Sequence, residues 1–226
     1  LKKLSAAFTS GVEQGLRDLG LNFGDVVSFA APRRLAIQIT ALEEQQADQE
    51  EVLYGPPAKI AFDADGNPTK AALGFAARAG ADASELKTAP DSDKKNAGKL
   101  MLERTIKGKQ TTELLAGIVQ NSLDKLPIAK RMRWGASRIE FVRPVQWLVM
   151  LFGNDVVDAE VLGMKAGNQS KGHRFHAPGQ ITINNPSEYE AKLREAYVMA
   201  SFAERGALIE KQVTAEGKKL GGDAII

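Results

Sequence analysis

The chain has 226 residues, 43% of them hydrophobic and 26% charged, with a formal net charge of +2. That is globular composition with enough apolar material for a sizeable core, in one large domain or two small ones. The absence of cysteine excludes disulfide frameworks and thiolate metal sites, and no run of about eighteen apolar residues is present to span a membrane.

Leu1-Lys2-Lys3-Leu4 opens no signal peptide, because no long apolar region follows it; a cytoplasmic location fits. Without an initiator Met, the sequence reads as a piece of a longer polypeptide. Leu1, Leu4, Phe8, Val12, Leu16 and Leu19 recur at helical spacing, and the amphipathic helix they define stops near Gly20. Residues 26–30 read as a short strand, Pro32 punctuates, and residues 35–39 read as the next strand. Five acids and no base lie between Glu43 and Glu51, so an exposed loop is expected there. Gly55-Pro56-Pro57 signals a turn, and Asp65-Gly66-Asn67 a tight one. Residues 69–79 are Ala-rich and predicted helical. Residues 82–98 are polar and predicted to be loop, with a strand at 100–106.

Thr111 or Thr112 is expected to cap a helix running to about Lys125, with Leu115, Ile118, Val119 and Leu123 on its apolar face. Residues 138–152 and 156–162 look strand-rich, and 181–183 form a short strand. Asn185-Pro186-Ser187-Glu188 is a helix start, with Asn at the cap and Pro at the first position. Tyr189, Leu193 and Tyr197 are expected on the inner face of that helix, and a last helix covers 202 to about 219. The pattern predicts an α+β fold with mixed or antiparallel sheets and flanking helices, without internal repeats. Two subdomains are expected, 1–95 and 96–226, the second holding a basic patch and the C-terminal helices.

Several chemistries have no support in the sequence. No P-loop spacing and no Gly-rich dinucleotide fingerprint occurs, and no nucleophile elbow marks a Ser–His–Asp set. His173 and His176 sit in loop-like sequence with Glu160 and Glu188 as the nearest carboxylates, too few ligands for a metal site. They read as structural histidines or as phosphate contacts beside Lys171 and Arg174; an unrelated hydrolase using them is a remote third reading.

Charge distribution is more informative than net charge. Between Lys125 and His176 there are nine Lys or Arg against four acids, and between Val161 and Ser187 no acid at all. Such a stretch points to an anionic partner; the alternative is a solvated mixed-charge surface. Lys130, Arg131 and Arg133 flank Trp134, a combination suited to phosphates and a stacked base. The same residues also fit a basic helix end with Trp134 in the core. Lys171, His173 and Arg174 surround Gly172, which allows backbone to approach an anion closely, or they lie in a hairpin loop with incidental charge. Arg33 and Arg34 are expected on opposite faces of a strand start, with a core-edge ion pair for at least one. Arg143, within Phe141-Val142-Arg143-Pro144-Val145-Gln146-Trp147, is expected in a buried strand with an internal ion-pair partner.

Taken in order, Pro32-Arg33-Arg34-Leu35-Ala36, Met132-Arg133-Trp134-Gly135, Phe141-Val142-Arg143-Pro144-Val145 and Gly172-His173-Arg174-Phe175 closely resemble the β subunit of bacterial glycyl-tRNA synthetase. Gly55-Pro56-Pro57 followed by Ala61-Phe62-Asp63 looks like the same family. The resemblance implies an aminoacyl-tRNA synthetase, an α2β2 ligase that joins glycine to tRNA(Gly) using ATP and Mg2+. It places the catalytic core on the α subunit, so no catalytic residue, metal or cofactor is expected here. The β subunit it implies is longer, with an anticodon-binding module toward its C-terminus and an opening strand before Leu1. The expected role is therefore tRNA positioning and subunit assembly, with Lys130, Arg131, Arg133, Trp134, Lys171, His173 and Arg174 as candidate RNA contacts. The alternative is a protein–protein scaffold without direct RNA contact.

Overall fold

The structure, a computed structural model, describes residues 1–63 and 65–226. The apolar repeat of the opening segment forms α1, Lys2–Asp18, burying Phe8, Val12 and Leu16 on one face. Strands β1 (Val26–Ala31) and β2 (Arg34–Ile39) form an antiparallel hairpin, Ala31 opposite Arg34, which leaves Pro32 and Arg33 in its turn. β3 (Gln49–Pro57), α2 (Ala58–Ala61), α3 (Lys70–Ala79), β4 (Lys87–Thr88) and β5 (Lys99–Ile106) follow, and then the longer helix α4 (Thr111–Asp124). A run of short strands comes next: β6 (Met132–Arg133), β7 (Glu140–Phe141), β8 (Leu148–Val149), β9 (Leu151–Phe152) and β10 (Asp155–Val156). It continues through β11 (Glu160–Val161), β12 (Met164–Gly167), β13 (Gln169–Lys171) and β14 (Gln180–Thr182) to the helices α5 (Tyr189–Glu195) and α6 (Phe202–Lys219). Helices with small, mostly antiparallel sheets make this the α+β class that the sequence implied. Among the described residues, β12 and β8 form a parallel pair, Ala166 opposite Leu148.

The chain divides into two compact units, Leu1–Gln46 with Lys109–Ile226, and Ala47–Gly108. The expected boundary near residue 95 falls inside the second unit, because β5 is held there by pairing with β3 from Gln49↔Ile106 to Pro57↔Lys99.

In the first unit α1 lies against α4. A Cβ placed on Gly15 would stand 2.8 Å from Ile118 Cγ2, and one on Gly11 3.0 Å from the Ser122 Cβ, so two side-chain-free positions set the close approach of these helices. Around that contact Phe8, Val12, Leu16, Leu21, Ile118, Leu123, Met150, Val157 and Val161 form the main core. A smaller cluster joins Phe29 of β1 to Leu193 of α5 and Ala200, with Tyr189 packed on it. Thr111 does not cap α4; Gln110 holds that position. Thr111 is fully buried instead, donating its hydroxyl to the Glu43 carbonyl at 2.5 Å. The same margin closes on itself: Gln46 N–H donates to the Lys109 carbonyl at 3.0 Å, Thr111 N–H to the Glu44 carbonyl at 2.8 Å, and Gln45 bridges Gln110.

In the second unit β5 lies between β3 and β4, over a core of Ala61, Ala72 and Leu100. Gly55-Pro56-Pro57 is not a turn but the bulged end of β3, with a register shift between Tyr54 and Pro57. Gly55 is needed because the Phe75 ring of α3 lies against it, 2.7 Å from where a Cβ would be. The acidic stretch is also only partly loop: Glu50 and Glu51 belong to β3, and Glu51 pairs with Arg104 of β5 at 2.6 Å.

Leu16 has no exposed surface and closes the buried face of α1 near its C-terminal end. Leu16→Ala is expected to lower the unfolding free energy by about 2–5 kcal/mol, read as an earlier midpoint in urea titration followed by circular dichroism.

Candidate nucleic-acid interface

The β1–β2 hairpin places two guanidinium groups together at its end, because Arg33 sits in the turn and Arg34 opens β2. They do not point to opposite faces and they form no ion pair among the described residues. Both lie over the Trp147 ring, each 5.5 Å from its centroid, and Lys171 Nζ approaches the same ring at 5.6 Å. Arg33 also donates to Gln146 Oε1 at 3.4 Å. Arg34 donates to the carbonyl of Lys171, which ties β2 to β13, while its buried Nε has no partner.

Three cations around one indole, with no carboxylate among their contacts, form an electropositive site. Burial lowers the Arg34 pKa, the neighbouring charge of Arg33 acts in the same direction, and Tyr189 opposes both. Burial also pushes Tyr189 up to about 12, so its phenol stays neutral at physiological pH and does not balance Arg34. A half-buried cation without a counter-charge is costly, and an arriving anion would relieve that cost.

From Lys171 the chain enters the 172–179 loop. Gly172 is required there, since a Cβ would stand 2.3 Å from the Ala177 carbonyl oxygen and 3.1 Å from Ala196 Cβ. His173 N–H donates to the Ala196 carbonyl at 2.9 Å. His173 Nδ1 accepts from the Phe175 and His176 N–H groups at 3.2 and 3.3 Å. The imidazole thus organises its own loop, while Arg174 is exposed. Tyr197, expected on the inner face of α5, is 67% exposed instead, because its backbone turns left-handed at φ 59° where the helix ends.

The second candidate segment is separate. Arg131 donates to the Asp124 carbonyl at the end of α4 at 2.7 Å, and Arg133 on β6 faces Glu140 on β7 at 3.6 Å. Lys130 is exposed and Trp134 half-buried. No hydrogen bond, ion pair or ring contact joins 130–134 to 171–174 among the described residues. Arg143 is exposed in the loop between β7 and β8 and has no ion-pair partner among the described residues, because the expected buried strand is broken there. Among the described residues no three His, Asp or Glu gather as metal ligands, and no helix is long and apolar enough to cross a membrane.

A family model described as glycyl-tRNA synthetase beta subunit matches residues 1–226. The chain belongs to that family. Proteins named glycine–tRNA ligase beta subunit from Stutzerimonas stutzeri and Ectopseudomonas mendocina are each 51% identical to it, and one from Pseudomonas aeruginosa is 50% identical, all over 226 residues. Each match covers 100% of this chain and 32% of the relative, so the chain spans about a third of the length of the curated relatives it matches.

Within this family member, the cations singled out from the sequence are only part of the electropositive surface. Lys171 closes β13, and His173 and Arg174 follow in the 172–179 loop. Arg33 and Arg34 were assigned structural roles, and Trp147 was read as part of a buried strand; the structure brings all three to Lys171. The available signal was the pairing of two arginines with a Pro turn, a geometry in which strand alternation does not apply.

Tyr189 supplies a pH test. Its pKa is raised on folding, so its contribution to stability is complete below about pH 10 and is lost as pH climbs toward 12. Tyr189→Phe is expected to remove that alkaline loss. Urea titrations at pH 9 and pH 12 should show the unfolding free energy of the unsubstituted protein falling by roughly 2 kcal/mol more than that of the variant.

Proposed function

We propose that this part of the β subunit helps position tRNA(Gly) for glycylation while the catalytic chemistry takes place on an α subunit. In this reading ATP and Mg2+ are used on the α subunit, and the assembly works in the cytoplasm as an α2β2 aminoacyl-tRNA synthetase. The names of its relatives support the reaction, and the electropositive face supports the RNA. The observation that carries the reading is the convergence of Arg33, Arg34 and Lys171 on Trp147 without a carboxylate. Phosphates supply the missing counter-charge, Arg adds forked donors, and held geometry brings the terminal ribose to a distant active site. Lys130, Arg131, Arg133 and Trp134 offer a second contact region, and Arg174 extends the first.

A protein-scaffold reading is favoured by a different feature. Helix α6 buries none of its residues, and Leu208, Ile209 and Val213 are 39%, 54% and 43% exposed along it. A helix of this kind suits docking against another protein surface. Co-elution of the chain with purified α subunit in gel filtration would support that reading; tRNA retention without co-elution would favour RNA positioning alone.

Phosphate contacts release counterions, so tRNA affinity should fall steeply with salt. Arg33→Ala, Lys130→Ala and Lys171→Ala in the full-length β subunit are each expected to reduce the log–log salt slope by about one. Filter binding at several salt concentrations reads this, and an unchanged slope removes that residue from the interface.

A further inference from the structure

Four rings form a continuous path beside the electropositive site. Phe175 lies 6.2 Å from His173, His173 lies 4.6 Å from His176, and His176 lies 5.5 Å from Tyr197, centroid to centroid. The two ends are open to solvent, Phe175 at 80% and Tyr197 at 67% exposure. The rings come from two segments, the loop after β13 and the turn that follows α5, which the His173–Ala196 hydrogen bond joins.

The platform is built before any ligand arrives. Gly172 admits the tight packing of the loop on Ala177 and Ala196, and His173 Nδ1 accepts from and fixes the Phe175 and His176 N–H groups. Tyr197 occupies a left-handed backbone conformation that bulky side chains rarely adopt, and its ring gains little burial in return. Strain held at an exposed ring is a pointer to function rather than to folding.

The chemistry of the surroundings selects the ligand. Phe175 and Tyr197 are the exposed large hydrophobic side chains among the described residues from 157 to 201. No acid occurs between Val161 and Ser187, and Lys171 and Arg174 flank the rings. Glu195 is exposed two residues before Tyr197, so the acid-free side of the platform is the 172–179 loop, where aromatic faces beside cations suit unpaired bases and their phosphates.

We propose that His173, Phe175, His176 and Tyr197 form a stacking platform for unpaired bases of RNA, with Lys171 and Arg174 taking the adjoining phosphates. This rests on the RNA-positioning reading and narrows it to single-stranded segments. The test uses full-length β subunit with its α partner, and fluorescence anisotropy with a labelled single strand of about twelve nucleotides and a blunt duplex of the same length. The double variant Phe175→Leu, Tyr197→Asn keeps the fold accessible, since one ring is solvent-exposed and Asn tolerates the left-handed backbone.

The double variant is expected to bind the single strand at least about fivefold more weakly, bind the duplex unchanged and keep the salt slope, because the rings carry no charge. Unchanged single-strand affinity, or equal losses for both RNAs, overturns the platform while leaving cation-mediated binding intact. Loss of co-elution with the α subunit, with RNA affinity unchanged, reassigns the patch to protein contact and also overturns it. Failure of the unsubstituted protein to bind either RNA removes the RNA reading itself.

Discussion

The position of Arg34 constrains much of the first unit. Its guanidinium is half-buried, donates to the Lys171 carbonyl, leaves Nε without a partner and has no carboxylate among its contacts. That one bond spans 137 residues of sequence and brings the hairpin turn to the strand that feeds the 172–179 loop. A neutral residue at this place would let the hairpin and β13 meet without accumulating charge. Arg instead fixes the junction and leaves an unbalanced positive field in partly desolvated surroundings, where Coulomb interactions are stronger than in bulk water. Tyr189 cannot relieve that field, since burial keeps it protonated.

The helices were legible in the sequence for a simple reason. α1, α4 and α6 are long enough for a 3.6-residue period to repeat; of the residues that the period selects in the first segment, Phe8, Val12 and Leu16 are buried while Leu1 is exposed. The region from Met132 to Lys171 was not legible to the same degree. Its strands are mostly two residues long, too short for alternation to reveal which face is buried. Arg143 was misassigned there because apolar neighbours suggested a strand that the chain does not form. Gly55-Pro56-Pro57 carries a turn composition but is held as the bulged end of β3 by pairing with β5 and by the Phe75 ring, a tertiary requirement that local sequence does not encode.

The candidate site divides along the same line. Lys171, His173 and Arg174 are neighbours in sequence, so their grouping is legible there. Trp147 and the two hairpin arginines lie far apart in sequence, and only the close approach of β2 to β13 brings them together. Tyr197 looked like an inner-face residue by spacing from Tyr189 and Leu193, but α5 ends at Glu195 and the backbone turns left-handed at Tyr197. Charge and aromatic surface then contribute in different ways: the first weakens as salt rises, and the second does not.

The hydrogen-bonded margin formed by Glu44, Gln45, Gln46, Lys109, Gln110 and Thr111 has a consequence for how this polypeptide tolerates change. Residues 47–108 leave the first unit after Gln46 and rejoin it at Lys109. Because the two ends already meet, the closure entropy of whatever lies between them rises only logarithmically with its length. As far as chain closure alone is concerned, a change in the length of that segment therefore costs the first unit little.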